Sequence, residues 1–230
     1  MKSVFLAGAT GAVGFPLVKL LVQTGRYRVF GCTRDWKKAE ILQSLGARPI
    51  VVDVYDCDKL KHEMQWVKPE IVIHQLTDLP FGLPKESMEV ALPKNARIRD
   101  EGTRNLIEAM KSVGSEQFLV QSIGFMYSEG PTPHSEEEMS GSGNLRNLEE
   151  MALSSCEQTK IMRYGRFYGP RTGFDKVELP CRVHVEAAAF ACVLLLTQGN
   201  WNIYNVCEDS EYASNQRILS DTDWDPDFRI

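Results

Sequence analysis

The stretch Val4-Phe5-Leu6-Ala7-Gly8-Ala9-Thr10-Gly11-Ala12-Val13-Gly14 decides how this chain reads. Four apolar residues run into three glycines spaced three apart, and an amphipathic pattern follows from Phe15 to Val22. The order is strand, tight turn, helix, the context in which such glycines signify dinucleotide binding. Gly8 lets the chain turn sharply off the strand, Gly11 lets the backbone approach a pyrophosphate, and Gly14 lets the helix pack closely on the sheet. Free N–H groups and the positive dipole end at the helix start favour an anion there. Gly8, Thr10, Gly11, Ala12, Val13 and Gly14 are therefore expected to cradle a dinucleotide. The alternative is a glycine-rich turn that holds no nucleotide.

Outward from this turn, strand-like and helix-like segments alternate. Strands are expected at Val4–Ala7, Tyr27–Thr33, Arg48–Asp53, Ile71–Gln75, Gln117–Ser122, Lys160–Tyr164 and Trp201–Val206. Helices are expected at Ala12–Gln23, Lys37–Leu45, Lys59–Trp66, Ala96–Ser112, Asn144–Ser155 and His184–Thr197. Continuous apolar runs such as Ile71-Val72-Ile73 suit parallel strands covered on both faces. The pattern predicts an α/β fold, a doubly wound parallel sheet of the Rossmann kind with right-handed crossovers. Thr77 to Pro93, with Pro80, Pro84 and Pro93, and Tyr127 to Gly143 break the rhythm. Both follow strands and are expected as loops over the carboxyl edge of the sheet, where open α/β folds bind ligands. The triplet Glu136-Glu137-Glu138 inside the second loop is expected to face water.

Size and composition narrow the class. A chain of 230 residues with 43% hydrophobic and 25% charged content is ordinary for one globular domain. A net charge of −5, with basic residues scattered, argues against a nucleic-acid surface. Val4 to Ala7 is too short for a signal sequence, and the longest apolar run, Ala187 to Leu196, is too short to span a bilayer, so it reads as a buried helix. Six cysteines without a C-x-x-C pair and four separated histidines predict reduced thiols, a cytoplasmic location and no metal centre.

The end of the second strand bears on which dinucleotide binds. Gly31-Cys32-Thr33-Arg34-Asp35-Trp36-Lys37-Lys38 offers Arg34 to grip a 2′-phosphate and Lys37 or Lys38 to add charge, which favours NADP. Asp35 leaves NAD open, since it could bind a ribose or pair with Arg34. Asp53 and Val54, after the third strand, are expected beside the adenine, with Asp53 accepting its amino group or else capping the next helix.

Several further segments carry a resemblance. Gly8 to Gly14, Glu101-Gly102-Thr103-Arg104-Asn105-Leu106-Ile107-Glu108-Ala109, Arg163-Tyr164-Gly165-Arg166-Phe167-Tyr168-Gly169-Pro170, Arg182-Val183-His184-Val185-Glu186, Ile203-Tyr204-Asn205-Val206 and the tail Trp224-Asp225-Pro226 all contribute to it. Together they resemble the extended and atypical short-chain dehydrogenases/reductases, the group that includes nucleotide-sugar epimerases and dehydratases. The resemblance implies a small-molecule substrate, and it leaves a homodimer through the fourth and fifth helices open. It also implies a catalytic Tyr with a Lys four residues later, on the helix after the fifth strand. There the chain departs from the pattern. Tyr127 is the one tyrosine between Asn105 and Tyr164, and no lysine lies between Lys111 and Lys160. The match Tyr55 to Lys59 falls on the adenine side and reads as chance. Aligning the family's Tyr-Gly turn on Tyr127 puts Ile123 in the helper Ser/Thr position, with Ser122 one residue off, which in a strand points to the opposite face.

The substrate-side region also looks reduced, to about residues 123–143, 170–183 and 207–230 of a single domain spanning 1–230. The resulting expectation is an NADP(H)-binding oxidoreductase with a non-standard proton donor. Candidate catalytic residues are Tyr127, His134 and Ser122, with Tyr164 or Tyr168 beside the nicotinamide. A catalytically silent NAD(P) sensor or scaffold, or a nucleotide-sugar epimerase/dehydratase, is the competing reading.

Overall fold

The structure, a computed structural model, describes residues 1–139, 141 and 143–230. Among the described residues nine strands run in chain order as β1 (Lys2–Ala7), β2 (Tyr27–Thr33), β3 (Arg48–Val51), β4 (Ile71–His74), β5 (Gln117–Ile123), β6 (Gln158–Tyr164), β7 (Arg166–Tyr168), β8 (Arg182–His184) and β9 (Ile203–Val206). All but β7 and β8 form one sheet in the order 3-2-1-4-5-6-9, with every pairing parallel. The helices are α1 (Gly14–Gln23), α2 (Trp36–Ser44), α3 (Cys57–Val67), α4 (Lys85–Arg97), α5 (Thr103–Val113), α6 (Gly143–Leu153), α7 (Val185–Leu194) and α8 (Gln216–Asp221). This is the doubly wound Rossmann arrangement.

Strand alternation builds two core layers. Val4 and Leu6 of β1 face the layer of Leu17 and Leu21 from α1 and Ala188 and Leu195 from the α7 side. Phe5 and Ala7 face the opposite layer, with Leu60, Met64, Leu106, Met110 and Leu148. Burial on both faces explains why these strands read as unbroken apolar runs. The alanine-rich helix α7 is buried around most of its girth, as its composition predicts.

Three sequence expectations need correction, and three short elements are not foreseen by the sequence. Thr77 to Pro93 is not all loop, because α4 occupies Lys85–Arg97. Pro84 sits at its N-cap, where a missing N–H costs nothing, and Pro93 is carried inside. The single helix expected over Ala96–Ser112 is instead α4, a π-helical turn at Ile98–Gly102, and α5. The short pair β7–β8 and helix α8 have no periodic signal strong enough to predict them. The acidic triplet does not simply face water. Glu136 is buried and accepts the Asn205 N–H at 2.9 Å, Glu137 pairs with Arg217, and Glu138 binds His134 at 2.8 Å.

Candidate functional site

The sheet order reverses direction at β1, between β2 and β4, so a crevice opens at the carboxyl ends of β1 and β4. A cavity of about 1170 Å³ lies there. Its floor is the turn after β1, and Gly8, Thr10, Gly11, Ala12 and Val13 line it. Gly8 has φ +85°, and a Cβ on it would fall 2.3 Å from the Gln75 carbonyl oxygen. A Cβ on Gly14 would fall 2.0 Å from the Gly8 carbonyl oxygen, so only glycine lets α1 start this close to the turn. Gly14 itself is absent from the lining, which fits a packing role. Among the described residues no side chain caps α1. The Phe15 N–H donates to the Gly11 carbonyl and the Leu17 N–H to the Val13 carbonyl, and Pro16 has no N–H, so an anion at the helix start would be met by the turn that precedes it. Gln75, buried on the wall, has an Oε1 without a hydrogen-bond partner among the described residues. A glycine cradle, an uncapped helix start and an orphaned amide oxygen together fit a dinucleotide.

On the β2 side, Arg34 and Lys38 line the cavity, whereas Lys37 does not. Arg34 Nη2 lies 3.3 Å from Asp78 Oδ1, with both side chains reachable by solvent. Asp35 caps α2, accepting the Lys37 N–H at 2.8 Å, so its carboxylate is engaged by backbone rather than by Arg34. Asp53 also lies outside the lining. It accepts the Tyr55 N–H at 3.0 Å, while Asp56 caps α3 and Val52 and Val54 form the cavity wall. The lining holds six cationic side chains (Arg34, Lys38, Arg99, Arg166, Arg171, Lys176) against three acidic ones (Asp35, Asp78, Glu178). The cavity is electropositive although the chain carries a net charge of −5, which suits an anionic ligand.

At the β5 end the three catalytic candidates separate. Ser122 lines the cavity, and its Oγ donates to Glu149 Oε1 at 2.6 Å. Glu149 is buried and held by Arg163 through Nε at 2.9 Å and Nη2 at 2.7 Å. Tyr127 and His134 lie outside the lining, in a satellite cluster where their rings stack at 4.9 Å. The Tyr127 hydroxyl donates to Asn205 Oδ1 and accepts from Arg163 Nη1 at 3.1 Å. Burial pushes the Tyr127 phenol up to about 12 despite the opposing Arg163, opposite to the direction that proton exchange at neutral pH requires. Tyr164 reaches the wall, but its hydroxyl points inward, to Met162 Sδ and the Ala188 carbonyl. The Tyr168 hydroxyl is bound to Glu208. Tyr55 lies under the Arg97 guanidinium, 4.0 Å from its ring centroid.

Sequence reasoning puts the segments that hold Thr77 to Phe81, Phe125 and 171–174 on the ligand side but singles out none of these side chains, and it does not place Ile98 or Arg99 there. Leu76 to Phe81, Ile98, Arg99, Phe125, Phe167, Arg171, Thr172 and Phe174 all line the cavity. Arg171 carries a partial signal, since it follows the Tyr168-Gly169-Pro170 turn. It donates to the Thr10 carbonyl at 3.1 Å and stacks over Phe15. Beneath the wall, His74 is fully buried and held at a pKa of about 4, chiefly by burial. Its Nδ1 accepts the Leu76 N–H at 3.2 Å, so Nε2 carries the proton toward Thr103 Oγ1 at 2.9 Å. The native pKa is depressed below the unfolded value of about 6.5, so the stabilisation is fully present above about pH 6.5 and is lost as pH falls toward 4. A His74→Gln variant is expected to show a shallower loss of stability in urea titrations between these limits, by up to about 3 kcal/mol. An unchanged slope would refute it.

Residues 8–157 match the profile of a family described as NAD(P)H-binding. A 3-diazoavenalumate denitrifying reductase from a Streptomyces species is 33% identical over 188 residues, covering 75% of this chain and 59% of that protein. A decarboxylating sterol-4-alpha-carboxylate 3-dehydrogenase from Dictyostelium discoideum is 32% identical over 74 residues, covering 32% of this chain and 22% of that protein. The chain thus spans less than two thirds of the length of either relative. Among solved structures, the UDP-glucose 4-epimerase of Thermus thermophilus in complex with NAD superposes with a TM-score of 0.76 at 19% identity, covering 99% of this chain and 95% of that one. The UDP-glucose 4-epimerase of Thermotoga maritima with UDP-glucose gives 0.79 at 16%, covering 99% and 94%. At such identities the likeness concerns the fold. No helix among the described residues is long and apolar enough to cross a membrane.

Proposed function

The chain belongs to the NAD(P)H-binding family, and from that membership we propose that it is an NADP(H)-dependent reductase of a small molecule. The observation that carries the reading is the uncapped start of α1 above a glycine cradle, inside an electropositive cavity large enough for a dinucleotide. Backbone N–H groups of Ala12 and Val13 would hold the pyrophosphate, the Gly11 N–H being spent on the Gly8 carbonyl, and Arg34 with Lys38 would hold a 2′-phosphate. Leu76 and Gln75 adjoin the nicotinamide half, and a nicotinamide bound there supplies the hydride. Phe125, Phe167 and Phe174 exclude water from the reacting centre. Ser122, whose hydroxyl proton is donated to Glu149 Oε1, offers its Oγ lone pairs to a donor of the substrate. The Glu149–Arg163 pair fixes that hydroxyl, so these two are positioning residues. The reductase relative supports this assignment of reaction class.

The cofactor preference has a direct test. Arg34→Ala is expected to weaken NADPH binding by roughly 10- to 100-fold, the value of a lost charged hydrogen bond, and to leave NADH within about twofold. Fluorescence titration of both cofactors measures it, and equal losses would overturn the NADP assignment. One observation favours a second reading, a cofactor-binding protein without turnover. Tyr127 and His134 are engaged away from the cavity, and α6 carries neither Tyr nor Lys. NADPH oxidation by any carbonyl, enone or diazonium substrate in a broad panel would decide for the reductase.

A further inference from the structure

Arg99 lines the cavity from the π-helical turn Ile98–Gly102, a form of helix that recurs at functional sites. Its charged neighbours along the chain are already matched with one another. Arg97 binds Glu101 at 2.6 Å, and Arg104 binds Asp100 at 2.6 Å, each pair one helical turn apart on the exposed side. The acids near the cavity are engaged as well, with Asp78 on Arg34 and Glu149 on Arg163. His74, close enough for Arg99 to depress its basicity, is neutral and offers no counter-charge. Among the described residues Arg99 therefore has no carboxylate partner. Burial lowers its basicity, and no acid restores it. An unmatched, partly buried guanidinium opposes folding, a cost that an anion from outside the chain would offset.

We propose that Arg99 anchors a carboxylate of the substrate. The proposal rests on the reductase reading above and adds to it the chemical class of what is reduced, an apolar or aromatic molecule bearing an acid group. Two features separate this anion from the cofactor's phosphates. The pyrophosphate has the α1 N-terminus, and a 2′-phosphate has Arg34 and Lys38 at the β2 end. The turn carrying Arg99 reaches from Val54 across to α6, the helix whose Glu149 holds Ser122. Besides the charged side chains already named, the wall carries the apolar and aromatic side chains of Leu79, Phe81, Phe125 and Phe174. A guanidinium in such surroundings grips a planar carboxylate through two parallel N–H bonds.

The test uses the full chain loaded with NADPH and the probes benzoate and cinnamate, each against its uncharged amide. Calorimetric titration is expected to show the carboxylates binding at least about tenfold more tightly than the amides. In Arg99→Gln and Arg99→Ala that preference is expected to vanish, with NADPH affinity within about twofold of the parent. The melting temperature should stay the same or rise, because an unmatched charge has been removed, and Arg99→Lys should restore part of the preference. A merely structural arginine would lower the melting temperature and leave the preference intact, which overturns the proposal. Equal binding of acid and amide to the parent protein, or no binding of either, overturns it too. A loss of NADPH affinity of about tenfold or more in Arg99→Gln reassigns the residue to a cofactor phosphate and likewise overturns it. Failure of the parent protein to bind NADPH at all is a different result, because it defeats the reductase reading itself.

Discussion

Arg163→Ala is expected to remove about 3–5 kcal/mol of folding stability, seen as a large drop in the urea midpoint with little change in slope. Arg163 is buried and makes five hydrogen bonds among the described residues, two to Glu149 and one each to the Tyr127 hydroxyl and the Glu136 and Glu138 carbonyls. Burial alone would lower its basicity, but Glu149 and Tyr127 more than offset this and raise it. Truncation leaves the Glu149 carboxylate charged and unmatched beneath the sheet edge. The double variant Arg163→Met, Glu149→Leu removes both charges and should recover most of the loss, since a well-packed apolar pair is about as stable as a buried ion pair. It should still impair turnover, because Ser122 loses the acceptor that orients it. A loss below about 1 kcal/mol in the single variant would show that the pair contributes no more than a surface one.

The second large effect separates two glycines of the opening motif. Gly14→Ala is expected to destabilise by about 3 kcal/mol or more, because the new methyl meets the Gly8 carbonyl and the Ala9 backbone, neither of which can move aside. Gly11→Ala should behave differently. Its Cβ meets nothing nearer than the Gly8 oxygen at 3.3 Å, and its φ is not positive. Stability should hold within about 1 kcal/mol while NADPH affinity falls about tenfold or more, because the methyl occupies the approach of the pyrophosphate. Melting curves and cofactor titrations on both variants measure the contrast. Equal melting temperatures for the two would refute it.

The sheet was legible because its information is local. Val4 to Ala7 and Ile71 to Ile73 announce strands buried on both faces, and the glycine spacing announces the turn between strand and helix. Local pattern misleads where tertiary partners decide. Glu136 reads as solvated, yet it is satisfied by Asn205 and Arg217, far along the chain. Pro84 and Pro93 read as helix breakers, yet one caps α4 and the other is absorbed by it. Tyr127, a candidate donor from its place on the loop after β5 and not at the family's Tyr position, has its hydroxyl drawn inward by Arg163 and Asn205, distant in sequence. Arg99 is an intermediate case. Pairing the neighbouring charges at helical spacing leaves this arginine over, a signal available in the sequence, whereas its approach to the cavity depends on the extra residue of a π-turn.

The strand order 3-2-1-4-5-6-9 is also a schedule. β1 lies inside the sheet, yet it pairs on one flank with β2, about 25 residues later, and on the other with β4, where Val4 meets Ile71. During synthesis the unit from β1 to β3 can assemble first, leaving one edge of β1 open until β4 has emerged. That open edge is the apolar run Val4 to Ala7, so a ribosome pausing before residue 71 would expose a sticky template to neighbouring chains. The strand that organises the ligand crevice is thus the one most dependent on prompt translation of the segment that follows it.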